Sequence, residues 1–196
     1  EFRRVLFRSH AGDFDRALKY FEASLDGFRE LGDDHYVMSA MDGLAWAYGR
    51  LGDDGRRKAL HEDLLQMARE RSNSRMMALQ LEQLAWLASR SGDVGPALSM
   101  LEESHGIYRD AGIQPAVADI TSVIADVLVR AGHAETAARV LSCAEAMHEK
   151  FGFFGIWSAN ETESVMDSIQ GQLDGAAFAR AWEEGKELTS DEAVAL

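Results

Sequence analysis

Residues 43–65 read GLAWAYGRLGDDGRRKALHEDLL, and residues 83–105 read QLAWLASRSGDVGPALSMLEESH. The second stretch is the first displaced by 40 residues: Leu-Ala-Trp, an arginine four positions after the tryptophan, then a Gly-Asp turn. Outward from these, Gly12, Gly52, Gly92 and Gly132 keep the same interval, followed by Asp13, Asp53, Asp93 and His133. Eight residues before the glycine stand Leu44, Leu84 and Ile124, and seven before it Ala45, Ala85 and Ala125. Five after it come Ala17, Ala97 and Ala137, interrupted by Arg57; nine after it come Phe21, Leu101 and Leu141, interrupted by His61. A fixed period of this length marks a repeat whose units bury their apolar faces only by stacking.

Each unit reads as helix–turn–helix. Glycine tolerates the positive φ of a helix C-terminal cap, and the aspartate after it can cap the amides that open the next helix. Small alanines let the paired helices approach closely, and the large residue four positions on fills the groove. The periodicity predicts helix A over 35–50, 75–90 and 115–131, and helix B over 13–31, 54–71, 93–112 and 134–151. The joints between units are Gly32-Asp33-Asp34, Ser72-Asn73-Ser74 and Gly112 to Pro115. Pro96 falls in the first turn of its helix, where a missing amide hydrogen costs little.

Composition narrows the function classes. A formal net charge of −13 is repelled by phosphate backbones and anionic lipid, which argues against direct contact with nucleic acid or a membrane. One cysteine, Cys143, leaves no partner for an internal disulfide, and a reducing cytoplasm is the simplest compartment.

The column order Leu-Ala, Gly-Asp, Ala and then Phe or Leu over residues 10–150 resembles the tetratricopeptide repeat. The usual period there is about 34 residues, so the longer period here implies longer helices. HEAT-type repeats share a period near 40 but do not require this turn and alanine spacing. The expected fold class is all-α: a right-handed α–α superhelical solenoid of tetratricopeptide-like units with a helical C-terminal cap over 151–196.

In that cap, Phe151 to Trp157 (FGFFGIW) reads as an aromatic connector tucked against the last repeat. Asn160 to Leu173 and Gly175 to Leu188 read as two helices, with Trp182 as a fifth, degenerate large-residue position. Thr189 and Glu192 have capping-box spacing for a short final helix. The run LDGAAFARAWEEGKELTSDEAVAL resembles the closing segment of the repeat arm in bacterial signal-transducing ATPases. These include LuxR- and maltose-activator-type transcriptional regulators and adenylate-cyclase-linked ATPases. The resemblance implies an arm that receives ligands or protein partners beside a nucleotide-binding module. Residues 1–9, EFRRVLFRS, fit none of this pattern and resemble a translated sequencing-adaptor end. The native reading is expected to start near His10, as a fragment of a longer protein.

No GxxxxGK[ST] phosphate loop, GxGxxG or HExxH motif occurs, and His61-Glu62-Asp63 is followed by Leu65 where a second zinc-binding histidine would stand. Cys143 and His148, five apart, fall on different helical faces and read as a small buried thiol and a surface histidine. Acid pairs such as Asp33-Asp34, Asp53-Asp54 and Glu183-Glu184 read as turns, caps or solvated faces. The expectation is a non-enzyme with no cofactor and no metal.

Two constellations remain. Arg50, Arg90 and Arg130 stand two residues before their turn glycines, and Trp46, Trp86 and Asp126 stand one helical turn before the arginines. By resemblance to tetratricopeptide arrays this face lines a concave groove, where the guanidiniums and indoles can hold an acidic or aromatic peptide. The bland alternative is arginine complementing the helix dipole and tryptophan in the core. Arg57 and His61 form the second constellation. Either helix B slips to use Leu60, Leu64 and Met67 as its stripe, the preferred reading, or a polar notch forms beside Met38, Met41, Met76 and Met77.

The function expected is a sensor and interaction arm of a bacterial signalling ATPase or transcriptional regulator, binding a protein, peptide or effector and biasing an attached or associated module. The alternatives are a stand-alone adaptor or self-association module and, more weakly, a small-molecule sensor.

Overall fold

The computed structural model describes residues 14–151 and 159–196. Among these residues ten helices follow one another, without a strand: α1 (Phe14–Leu31), α2 (Asp34–Leu51), α3 (Asp54–Glu70), α4 (Ser74–Ser91), α5 (Val94–Asp110), α6 (Gln114–Arg130), α7 (Ala134–Phe151), α8 (Ala159–Gln170), α9 (Gly175–Lys186) and α10 (Ser190–Val194). The fold class is therefore all-α, an array of consecutive helix pairs as in a tetratricopeptide-like solenoid. Every bound lies within one turn of the range that the periodicity predicts. The segment 1–9, Gly12-Asp13 and residues 152–157 of the aromatic connector lie outside the described residues. The chain forms two compact units, Glu1–Leu87 and Ala88–Leu196, with α4 running across the division.

The turns explain the regularity. A left-handed residue recurs every 20 positions: Gly32, Gly52, Ser72, Gly92, Gly112 and Gly132, with φ between 51° and 86°. At each, the next amide donates to a carbonyl five residues back, as Asp53 does to Tyr48 at 3.0 Å and Asn73 to Ala68 at 2.9 Å. Turns within and between the repeats thus share one C-terminal capping device. Asp53 also caps α3, its Oδ1 accepting from the Arg56 amide at 3.0 Å, and Asp33 caps α2 through Tyr36. Asp93 makes no such bond, contrary to expectation. The equivalent donor three residues on is Pro96, which has no amide hydrogen.

The repeating columns face inward as predicted. Ala45, Ala85, Ala97, Ala125 and Ala137 are fully buried, and Phe21, Leu101 and Leu141 fill the larger positions. In the first unit, α1 packs on α2 and α2 on α3; Phe21 lies so close to Gly43 that a Cβ there would run into its ring. In the second unit, α7 packs on α6 and on α9, and α10 packs on both α6 and α7. Trp182 does not serve as the fifth large residue. The inward positions of α9 are Ala181 and Gly185, while Trp182 is partly buried and stacks on Phe178 with centroids 5.4 Å apart. A large residue has no room there, because a Cβ on Gly185 would meet the Arg139 carbonyl. Thr189 and Glu192 complete the capping box that opens α10.

Two outcomes follow for stability. Ser72 is the one non-glycine residue at positive φ among the described residues. Ser72→Gly is expected to stabilise by about 0.5–1 kcal/mol net of glycine's unfolded-state entropy, read as a rise of roughly 1–4 °C in Tm. Gly185→Ala is expected to destabilise by about 1–3 kcal/mol; thermal melts that leave Tm unmoved would contradict the close α7–α9 approach.

Candidate functional site

The six residues singled out by spacing sit near the C-terminal ends of α2, α4 and α6, but the structure gives each pair different company. Trp46 and Arg50 converge on Phe14 of α1. The Trp46 and Phe14 rings meet edge to face at 5.7 Å, and the Arg50 guanidinium lies 5.3 Å over the same Phe14 ring. Arg50 is exposed and makes no hydrogen bond or ion pair among the described residues. Phe14 was missed by the sequence reading; its signal is an aromatic two positions after a turn glycine.

Trp86, 42% exposed, is covered by Arg57 of α3, whose guanidinium lies 4.5 Å over the indole while Nη2 donates to Gln83 Oε1 at 2.8 Å. Arg57 fits an alanine column because the facing residue is Gly49, where a Cβ would lie 3.0 Å from the Arg57 Cδ. Arg90 stands one turn beyond Trp86 on α4. In the second unit, Arg130 Nε donates to both carboxylate oxygens of Asp126, at 2.8 and 2.9 Å. The three arginines are therefore not equivalent rungs. Arg50 rests on an aromatic ring, and Arg130 is closed by its own helix's carboxylate.

At the second constellation the helix does not slip. His61 is 3% exposed and keeps the large-residue column, with Leu64, Leu65 and Ala68 buried beyond it. Leu60 and Met67 are only partly buried. The register holds because Gln80 of α4 supplies a partner where neighbouring repeats carry Ala40 and Ile120. Its Oε1 accepts from His61 Nδ1 at 2.7 Å, and its Nε2 contacts the Met76 sulfur at 3.2 Å. That tautomer leaves Nε2 as a buried lone pair without a partner among the described residues. Burial pushes His61 below its usual pKa, so it is neutral. Met38 and Met41 are core residues, and Met76 and Met77 pack against the same core, so the notch is filled.

In the second unit, His148 is not a surface residue: its side chain is 13% exposed. Its Nε2 lies 3.3 Å from Asp119 Oδ1 and its Nδ1 lies 3.9 Å from Glu145 Oε1. The two carboxylates raise it to about 9, making it an imidazolium at neutral pH. Cys143 is buried, as expected; its thiol contacts the Leu188 carbonyl at 3.4 Å, and burial raises it to about 11. A thiol protonated to that degree is a poor nucleophile. His105 is buried and held below its usual pKa, chiefly by burial. Among the described residues no group of three His, Cys, Asp or Glu is arranged to hold a metal ion. No described helix is long and apolar enough to cross a membrane.

Residues 3–70 match the family model of the tetratricopeptide repeat, a stretch that contains α1, α2 and α3. No curated protein matches the chain in sequence.

The histidines give a two-sided pH dependence. His148 is raised in the fold, so its stabilisation is complete below pH 6.5 and lost as pH climbs through about 9. His61 and His105 are lowered, so theirs is complete above pH 6.5 and lost as pH falls below it. Urea titrations across this range are expected to show His148→Gln losing the alkaline decline. The double variant His61→Leu with Gln80→Ile, matching Leu101 and Ile120 of the neighbouring columns, should soften the acid decline while keeping or raising stability. An alkaline limb unchanged in His148→Gln would refute the imidazolium assignment.

Proposed function

We propose that this chain is the non-catalytic interaction arm of a larger bacterial signalling ATPase or transcriptional regulator, and that it captures an acidic or aromatic segment of a partner protein. Residues 3–70 carry a tetratricopeptide match, and such repeats generally mediate protein–protein interaction. The single observation that carries the reading is the Arg50–Phe14–Trp46 cluster. A guanidinium held over a ring keeps N–H groups for a carboxylate, and the ring narrows the positions that it explores. On a chain of net charge −13, such a cation is a point of selection. Trp86, Arg90, Asp126 and Arg130 extend the same helix-A positions along the repeat. The signalling context is supported by the resemblance of the run Leu173–Leu196 to the closing segment of regulator arms. A partner held there biases the attached module only so far as it binds one state of that module better than the other.

Peptides rich in Asp, Glu and aromatic residues, carrying a fluorophore, test the face. Wild-type chain should bind them with salt-sensitive anisotropy. The triple variant Arg50→Ala, Arg90→Ala, Arg130→Ala should lose that binding with its far-UV circular dichroism kept, most of the loss tracing to Arg50. Binding that survives the triple variant removes this face from the proposal. The context is tested separately by reading the coding DNA upstream of codon 10. A frame continuing into a GxxxxGK[ST] loop supports the regulator arm, and a start codon beside His10 overturns it.

A further inference from the structure

The final helix of the chain shows how one kind of cleft in this fold is filled. α10 lies against α6 and α7, and Ala193 is buried at 1% exposure. Asp191 reaches Arg109 of α5, Oδ1 to Nη1 at 2.7 Å, and the Leu188 carbonyl meets the Cys143 thiol at 3.4 Å. The cleft is therefore walled by two successive B helices over the A helix between them. Arg109 supplies a cation on one wall, and Cys143 stands on the other.

Residues 80 positions earlier, two repeat periods back, build the same cleft inside the first unit. Arg29 of α1 corresponds to Arg109, Asp63 of α3 to Cys143, and Met67 to Met147. Here the cleft is open, with a volume of about 430 Å³, Val37 and Met41 on its α2 side and Glu70 at the edge of α3. Arg29 and Asp63 have no hydrogen bond or ion pair among the described residues. Glu70 accepts from Gln66 at 2.9 Å on its own helix. Two unpaired charges of opposite sign thus face one cleft whose repeat equivalent holds a short helix.

We propose that this first-unit cleft docks a short helical segment of a partner protein. The segment carries a carboxylate for Arg29, a small apolar residue for the Val37–Met41 side, and a cation for Asp63 and Glu70. Charge decides against the α10 segment of a second copy. Residues 187–196 read ELTSDEAVAL and hold three carboxylates and no basic side chain, so they would place acid against Asp63 and Glu70. Arg29 lies outside the aromatic–arginine face proposed above, and the two readings stand or fall separately.

The probe is a peptide copying residues 184–196 with Glu187→Lys and Leu188→Lys, which sets ammonium groups where the Leu188 carbonyl meets Cys143 in the second unit. Methyl-labelled full-length chain should show Met41 and Met67 resonances shifting on titration, with Met147 unmoved. Arg29→Glu should weaken binding on the order of tenfold, and a peptide that also carries Asp191→Lys should recover it. Arg29 is exposed, so the substitution leaves the fold intact. Three results would each overturn the proposal: no methyl shift, shifts confined to Met147, or equal binding by the unsubstituted peptide.

Discussion

Close approach of paired helices at small residues is the constraint on which the rest of this structure depends. Helices that touch at Ala45, Ala85, Ala125 and Ala137 leave no spare volume, so every large side chain on one helix needs an opening on its partner. Phe21 has Gly43, Arg57 has Gly49, and the α7 backbone at Arg139 has Gly185. Interiors packed to crystal density respond to a single methyl group, and such pairings are therefore obligatory compensations. Left-handed turns at 20-residue intervals keep the contacts in register, since each helix must end where the next is to begin.

That constraint also explains the surface chemistry. Arg57 occupies an alanine column, cannot stay inside, and runs out along Gly49 to cover Trp86. Arg50, in the last turn of α2, finds Phe14 at the start of α1. These two arginine–aromatic contacts thus arise where a column is broken and where helix ends meet. The clefts between B helices are a second product of the geometry. One is filled by the chain's own α10, and its repeat counterpart in the first unit is open.

Buried polar residues divide by partner. His61 meets an amide, and His105, 3.9 Å from Asp191, also feels the Arg109 charge; in both, desolvation outweighs the rest and keeps the ring neutral. His148 meets Asp119 and Glu145, and two carboxylates outweigh its burial. The same side chain, placed in the same kind of helix pair, is neutral or cationic according to what faces it.

Much of this was legible in the residues alone. The 40-residue period, the inward columns, the helix bounds and the α10 capping box all follow from local pattern, because a helix's period and its stop signals are written in residues a few positions apart. Tertiary structure decided what local pattern cannot encode. The 20-residue rhythm was hidden by Ser72, whose backbone adopts the glycine conformation without the glycine. His61 kept its register because Gln80, 19 residues away, offers a hydrogen bond, and no property of α3 by itself announces that. Asp93 lost its cap to Pro96, which was readable but only with the bond geometry in mind. Arg50 and Arg130 share a column and differ in role, since Phe14 faces one and Asp126 the other. Sequence determined which helices form and which faces they bury, because those depend on nearest neighbours along the chain. Structure decided which side chains meet, because contact across helices depends on the space that each partner leaves.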